Sequence, residues 1–221
     1  RCGAISQIAD YWGNDYFDDT YYHNGVPKKY EGYCTDVFFN ETMHYIKEVK
    51  DKPFFVYLAP NVTHLPLKVA DHYTQHHLAN GVNEKLAVFY GMVDNLDENV
   101  GRLSAFLKQE GLDENTIILF TTDDGTQGAA ISQTEKPWFK GMRGKKGSRE
   151  EGGHRVFCFL RWPAGLGSRD NGTIISVLDV YPTLLDLCGF KVPDSVKIEG
   201  RSFKPYLANP LDAEDDDRMV F

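Results

Sequence analysis

The stretch that decides the fold is Thr-Ile-Ile-Leu-Phe-Thr-Thr-Asp-Asp-Gly, residues 116–125. Its first seven residues are β-branched or apolar and together have the length of one strand. Two adjacent carboxylates and a glycine then end the strand, because these residues favour turns over sheet. In open parallel α/β sheets, ligands bind at the carboxyl ends of the strands. We therefore expect Asp123 and Asp124 to lie at the ligand-binding edge of a sheet.

Two glycine-rich segments downstream add positive charge. Arg-Gly-Lys-Lys-Gly-Ser occupies residues 143–148, and Glu-Gly-Gly-His-Arg occupies residues 151–155. Basic side chains on a glycine-rich backbone suit the binding of an anion. Two adjacent carboxylates repel each other unless a cation is present, and an oxygen-only pair suits Ca²⁺ or Mg²⁺ better than zinc. The residues alone thus predict a cation and an anion bound at one sheet edge.

Strands and helices alternate over residues 35–188, which predicts an α/β fold with a mainly parallel sheet flanked by helices on both faces. Apolar residues recur at helical spacing over residues 35–49 and over residues 83–110, the longest predicted helix. A third helix within residues 174–188 would place Pro182 in its first turn, where proline is tolerated.

Two further apolar runs, residues 54–59 and 156–162, predict buried strands. The first run leads into a short segment that ends at His64. If the strand at residues 54–59 runs parallel to the strand at residues 116–122, His64 lies at the same sheet edge as Asp123 and Asp124.

Residues 11–33 are dense in aromatic side chains and contain His-Asn-Gly at residues 23–25, a strong hairpin signal. The rings could form a wall that stacks on sugar or aryl groups. They could instead form a β-ribbon that packs on the rest of the domain, and we favour this second interpretation.

Residues 69–83 are polar and contain His72, His76 and His77. Histidines this close together suit a metal site, but no third ligand follows at a recognisable spacing. We therefore favour an exposed surface segment. Asp94, on the margin of the long helix, is expected to be a solvated or capping charge.

The composition is that of an ordinary globular protein, with 42% hydrophobic and 25% charged residues among 221 and a net charge of −8. The negative charge argues against binding to nucleic acid or to an acidic membrane surface. No apolar run approaches the roughly 20 residues that a membrane helix needs. Cys158 and Cys188 are expected to be buried thiols. The start at Arg1 and the strand-like residues 218–221 suggest a piece of a longer protein.

Taken in order, these segments resemble the second half of a sulfatase catalytic domain, within the alkaline-phosphatase-like superfamily. Further matching segments are Gly-Tyr-Cys-Thr-Asp (32–36), Pro-Phe-Phe-Val-Tyr-Leu-Ala-Pro (53–60), Thr-His-Leu-Pro (63–66), residues 94–101, Arg-Trp-Pro (161–163), residues 179–185 and Gly-Arg-Ser (200–202). The resemblance implies a partial catalytic domain over residues 1–221, incomplete at its amino-terminal side. It would comprise an aromatic β-ribbon (11–33), an α/β core (34–210) and the start of a truncated carboxyl-terminal subdomain (211–221).

The resemblance also implies roles for four residues. Asp123 and Asp124 match ligands of Ca²⁺, although the family usually has Asn at the second position. Lys146 matches a lysine that contacts the sulfate group, and His64 matches a histidine that binds sulfate and helps to protonate the leaving alcohol. His64 and Lys146 are thus the expected catalytic and substrate-binding residues. Outside this context, Asp-Asp-Gly would be an ordinary turn, Lys146 a surface lysine and His64 a loop residue.

The family's nucleophile, a formylglycine made from Cys or Ser in Cys/Ser-x-Pro/Ala-x-Arg, has no counterpart in this chain. Cys2-Gly-Ala-Ile-Ser lacks the arginine and lies too close to the predicted hairpin. Further acidic metal ligands belong to an amino-terminal segment that the chain does not contain. We therefore expect the isolated chain to be inactive.

The resemblance implies a sulfuric ester hydrolase that, as part of a full-length protein, uses formylglycine and Ca²⁺. Its substrate would be a sulfated small molecule or a sulfated carbohydrate, and its location would be periplasmic or secreted. Two alternatives stay open: a phosphoester or phosphonate hydrolase of the same superfamily, and a non-catalytic carbohydrate-binding remnant whose binding surface would be the aromatic ribbon.

Overall fold

The structure is a computed structural model that describes residues 13–126 and 142–208. The chain divides between Leu160 and Arg161 into two compact units. The strands are β1 (Thr20–His23), β2 (Val26–Lys29), β3 (Ile118–Thr121) and β4 (Cys158–Arg161). The helices are α1 (Cys34–Val49), α2 (Gln75–Ala79), α3 (Glu84–Gln109), α4 (Glu151–His154), α5 (Val180–Leu187) and α6 (Lys204–Ala208), with single 3-10 turns at Asp71–Tyr73, Asp113–Asn115 and Val177–Asp179.

The predicted hairpin is confirmed. Strands β1 and β2 pair antiparallel, with His23 opposite Val26. The two turn residues, Asn24 and Gly25, have φ values of 52° and 84°. Positive φ at both central positions is what a tight hairpin turn needs, and Asn-Gly adopts it at low cost.

The ribbon's aromatic residues mainly pack on the rest of the first unit, as we favoured from the sequence. Tyr16, Tyr21 and Tyr33 are buried in a core cluster with Val37 of α1 and Met92 of α3. Burial of large rings on this scale is a major source of stability for a small unit. The ribbon therefore serves first as part of the core.

Helices α1 and α3 match the two predicted helices within one residue at each end. The side chain of Asn83 caps α3 by accepting a hydrogen bond from the backbone N–H of Leu86 (3.0 Å). The two helices contact each other through a polar group. Oδ1 of Asp36 accepts from the amide nitrogens of Asn95 (2.9 Å) and Asn99 (2.7 Å), which are both buried. Because buried amides need partners, this network fixes the relative position of α1 and α3.

Two of the three strands predicted after the hairpin are present in the structure. Strands β3 and β4 form where expected and pair with each other in a two-stranded sheet, although β4 alternates in exposure and Phe159 is exposed. The buried strand predicted at residues 54–59 is wrong. That segment has no strand partner among the described residues, and Phe55 and Tyr57 are 72% and 84% exposed. A continuous apolar run predicts burial only if neighbours cover both faces, and the described residues leave one face open.

The second unit contains the predicted helix near residues 174–188, observed as α5, with Pro182 as its third residue. The N–H that proline lacks would have had no partner inside the helix at that position. Before α5, the side chains of Ser176 and Asp179 form a capping box around a 3-10 turn.

The carboxylate of Asp179 is completely buried. It accepts from the backbone N–H groups of Ser176 (2.7 Å) and Arg201 (2.9 Å). The hydroxyl of Thr183 similarly accepts from the N–H of Phe203 (2.9 Å). Two of the segments that carry the family resemblance, residues 179–185 and 200–202, therefore hold each other in place.

The expectation of two buried thiols is wrong for Cys188, which is exposed directly after α5, whereas Cys158 is half-buried. Within the described ranges, no helix combines the length and apolar composition needed to cross a membrane. Residues 211–221 and the Cys2 segment lie outside the described residues.

Candidate active site

The candidate active site is built where three glycine-rich segments meet. The N–H of Gly125 donates to the carbonyl oxygen of Gly153 (2.9 Å), and the N–H of Lys146 donates to the carbonyl oxygen of Thr126 (3.1 Å). The N–H of Gly152 donates to the carbonyl oxygen of Arg143 (2.8 Å). These bonds tie the Asp-Asp-Gly turn after β3 to the two basic segments.

Glycine is required at this junction because backbones approach each other too closely for a side chain. A Cβ atom on Gly125 would overlap the carbonyl group of Gly152, and one on Gly153 would overlap the carbonyl oxygen of Ser148. Such close approach of two chain segments is a common reason for glycine. The glycines therefore set the position of Lys146 relative to the turn.

Asp124 and Lys146 form an ion pair at this junction. The Nζ atom of Lys146 lies 3.2 Å from Oδ2 of Asp124, and each side chain is 33% exposed. A pair this open to water contributes only about 0–1 kcal/mol to stability. Its charges remain available to a ligand.

Asp123 precedes Asp124 and is exposed. Its Oδ1 accepts a hydrogen bond from the backbone N–H of Asp124 (2.9 Å), which orients the carboxylate. The two aspartates thus offer hard oxygen donors side by side. This donor chemistry fits a hard divalent cation such as Ca²⁺, which takes 6–8 oxygen ligands, so other groups would have to complete its coordination.

His64 is half-buried in a loop that the ribbon anchors. The hydroxyl of Tyr16 donates to the backbone carbonyls of Leu65 (3.2 Å) and His64 (3.4 Å). Nδ1 of His64 lies 2.8 Å from the carbonyl oxygen of Leu65. Because a carbonyl oxygen only accepts, Nδ1 carries the proton of the neutral ring, and the lone pair of that ring is on Nε2.

Of the four residues that the sequence predicted, the structure joins Asp123, Asp124 and Lys146 in one group. Among the described residues, no hydrogen bond or ion pair connects His64 to these three. Its convergence with them therefore stays a prediction. Nε of Arg143 lies 3.6 Å from Oε1 of Glu150 and pairs with this carboxylate.

The sequence suggested no third ligand for His76 and His77, but the structure provides one. The carboxylate of Asp94 lies beside both imidazole rings. The signal was weak because Asp94 lies on another helix, at a spacing that fits no known motif. Only the packing of α2 on α3 brings these residues together.

Comparison with known proteins identifies the family. The family model named Sulfatase matches residues 3–190. The chain is 32% identical over 193 residues to the uncharacterized sulfatase YdeN of Escherichia coli (strain K12), covering 86% of this chain and 33% of YdeN. It is 29% identical over 200 residues to N-acetylgalactosamine-6-sulfatase of Rattus norvegicus, covering 86% of this chain and 35% of the rat protein.

Solved structures agree with these relatives. The structure of Ps i-CgsB in complex with k-i-k-neocarrahexaose matches with a TM-score of 0.76 and 31% identity, covering 84% of this chain and 41% of that one. The sulfatase neighbours confirm the predicted α/β fold of the alkaline-phosphatase-like class, of which the described residues form a part with few strands. The chain spans about a third of the length of the curated relatives quoted above. On the extent of the family match and the order of its motifs, the chain belongs to the sulfatase family.

Proposed function

We propose that this chain is part of a sulfatase that hydrolyses sulfate esters, and that the Asp123–Asp124–Lys146 group forms the sulfate-binding side of its active site. The observation that carries the proposal is the Lys146–Asp124 ion pair at the glycine-built junction, 3.2 Å long and one-third exposed. Family membership supports the reaction class. The carboxylates and the ammonium group support a cation and an anion bound next to each other.

The aspartates would hold the divalent cation that we infer from the family, Ca²⁺. When bound, this cation would neutralise negative charge on the sulfate oxygens. Lys146, which is held beside Asp124, would place a second positive charge against the same anion. Such preorganised charges stabilise the charge that develops during ester cleavage without reorganising at the moment of reaction.

His64 would act on the leaving group. Its Nδ1–H bond to the carbonyl of Leu65 fixes the ring and leaves Nε2 as the site of proton exchange. A protonated Nε2 would give its proton to the alcohol oxygen as the ester bond to sulfur breaks. Because the chain lacks the formylglycine motif, the attacking group would come from another part of the full-length protein.

The substrate that we propose is a sulfated carbohydrate. Ps i-CgsB, a neighbour with a TM-score of 0.76 and 31% identity, was solved with k-i-k-neocarrahexaose. The neighbour BT4656, at 19% identity, supports the fold alone. We infer that the protein acts outside the cytoplasm, in the periplasm or after secretion, as the family resemblance implies.

The test is sulfate release by the longest open reading frame that contains this chain. Lys146→Ala should lower kcat by about 10²–10³-fold, as expected for loss of a preorganised charge. Lys145→Ala is the matched control, because Lys145 is the exposed neighbour and has no ion pair among the described residues. Equal losses for the two variants would refute the role of Lys146.

Four further measurements define the reaction. His64→Ala should lower kcat by about 10²–10⁴-fold, and the loss should be smaller for substrates whose leaving alcohol is more acidic. Chelation should abolish turnover, and added Ca²⁺ should restore it. Faster cleavage of an aryl phosphate than of any sulfate ester would favour the phosphoesterase alternative, and glycan binding without turnover would favour the non-catalytic one.

A further inference from the structure

The segment before α3 forms a cluster of nitrogen and oxygen ligands outside the candidate active site. Nε2 of His77 lies 2.7 Å from Oδ2 of Asp94, and Nε2 of His76 lies 3.2 Å from the same oxygen. One potential ligand atom from each of the three residues lies within 4.8 Å of the other two. From this convergence, we propose that His76, His77 and Asp94 form a binding site for one Zn²⁺ ion.

The packing of the segment explains how two adjacent histidines reach one carboxylate. Side chains of neighbouring residues on a regular helix point about 100° apart and rarely share a ligand. Here α2 has only five residues, and the Asn80 side chain and backbone N–H both bond to the carbonyl of His76 as the turn ends. The two imidazole rings then lie 3.8 Å apart, tilted by 40°.

Helix α3 holds the other side of the cluster. The segment lies close to the helix at Gly91, where a Cβ atom would be only 3.0 Å from the carbonyl oxygen of Tyr73. The hydroxyl of Tyr73 donates to Glu98 (2.6 Å), and the ring of Tyr90 packs on His77 at 5.3 Å. These contacts hold the histidine segment against α3 on both sides of Asp94.

The donor set and its dimensions suit zinc. Imidazole nitrogen with one carboxylate oxygen is a common zinc donor set, whereas Ca²⁺ takes oxygen ligands. With bonds of about 2.0–2.2 Å, the ligand atoms of a tetrahedral zinc site lie roughly 3.4 Å apart. The observed separations from Oδ2, 2.7 and 3.2 Å, require movements of less than about 1 Å. Asp94 and His76 are exposed enough to make them, at 38% and 57%.

Without metal, Nε2 of His77 hydrogen-bonds to Oδ2 of Asp94 (2.7 Å), and Nε2 of His76 lies 3.2 Å from the same oxygen, so the three ligand atoms are already close together. Zinc would replace the proton that His77 shares with the carboxylate, because a coordinating nitrogen must be unprotonated. Three protein ligands leave a fourth position for water. The ion would join α2 to α3 and would fasten the segment that follows the His64 loop to the long helix.

The experiment titrates Zn²⁺ into the metal-free 221-residue chain against a chromogenic chelator, in a Cys188→Ser background that removes the exposed thiol. We expect one equivalent of zinc per chain. His77→Ala and Asp94→Asn should each weaken binding by at least about 100-fold, since loss of a ligand costs no less than loss of its supporting partner. His72→Ala, a histidine of the same segment outside the cluster, should bind as the parent does.

Two readouts guard against variants that simply misfold. Circular dichroism and the thermal midpoint without metal should match those of the parent, and zinc should slow amide exchange of residues 75–79 in the parent but not in Asp94→Asn. Co²⁺ should give the visible spectrum of a tetrahedral nitrogen and oxygen site. Unchanged zinc binding in folded Asp94→Asn or His77→Ala, a thiolate band in the Co²⁺ spectrum, or no binding to the parent would overturn the proposal.

Discussion

Replacement of Asp179 by alanine should destabilise the second unit by several kcal/mol, about 3–4 kcal/mol from its hydrogen bonds. The buried carboxylate accepts two backbone N–H groups, from Ser176 at 2.7 Å and Arg201 at 2.9 Å. A hydrogen bond to a charged acceptor contributes about 1.5–3 kcal/mol, so the two together give about 3–6 kcal/mol. Because alanine also removes a desolvated charge, we take the lower part of this range, about 3–4 kcal/mol.

Two assays follow this loss at different scales. Urea unfolding of Asp179→Ala reports the free energy of unfolding, and hydrogen exchange reports the local opening at Arg201. A loss of about 3 kcal/mol corresponds to roughly 100-fold faster exchange of the Arg201 amide, since 1.4 kcal/mol is a factor of ten. Asp179→Asn should lose about half as much, because its amide group keeps one acceptor but turns a donor toward the other N–H.

Two control variants test whether the loss of stability comes from the Asp179 carboxylate itself. Ser176→Ala removes the capping hydroxyl, whose bond to the Leu178 N–H is long at 3.3 Å, and should cost only about 0.5–1 kcal/mol. Asp194→Ala removes an exposed carboxylate of the same unit and should stay within about 0.5 kcal/mol of the parent. If Asp179→Ala cost less than about 1 kcal/mol and left the exchange of Arg201 unchanged, the proposed link between residues 179–185 and 200–202 would be wrong.

Three further outcomes follow from burial and from helix packing. Burial raises the pKa of the Cys34 thiol to about 12 from 9.0, so iodoacetamide at pH 8 should label exposed Cys188 and leave Cys34 unmodified until urea unfolds the chain. The free energy of unfolding should also fall as pH rises from about 9 to 12, because the Cys34 thiol ionises in the unfolded chain at a lower pH than in the folded one. Gly101→Ala should stabilise α3 by up to about 1 kcal/mol, because its Cβ atom would meet nothing within 4 Å. Gly91→Ala should instead destabilise the chain, because its Cβ atom would press on Tyr73. If thermal unfolding showed the same direction of change for both variants, the packing described for α3 would be wrong.

The sequence predicted well those elements whose signal is local. The repeat of apolar residues fixes α1 and α3, and Asn-Gly fixes the hairpin turn, because propensity and spacing are properties of the segment itself. The strand at residues 54–59 failed for the opposite reason. Its burial depends on what covers it, and no property of six residues contains that information.

The candidate site divides in the same way. Residue types after β3 and in residues 143–148 predicted a cation and an anion, but the contact of Lys146 with Asp124 comes from glycines that let three segments touch. The His76–His77–Asp94 cluster could not be predicted, since it needs the docking of α2 on α3. Spacing along the chain identifies a metal site only when one local element carries most of the ligands.

The resemblance to sulfatases rests on two kinds of motif, and energetics separates them. The Asp179 contacts are buried and short, so they stabilise the fold whether or not a ligand binds. The Lys146–Asp124 pair is one-third exposed and contributes at most about 1 kcal/mol, while Asp123 next to it adds an exposed negative charge. The single positive charge of Lys146 does not neutralise the two carboxylates, and a bound cation would offset the remaining negative charge. The Asp123–Asp124–Lys146 group thus adds little to the stability of the fold, whereas ligand binding would account for its arrangement of charges. For this reason we place the proposed chemistry there.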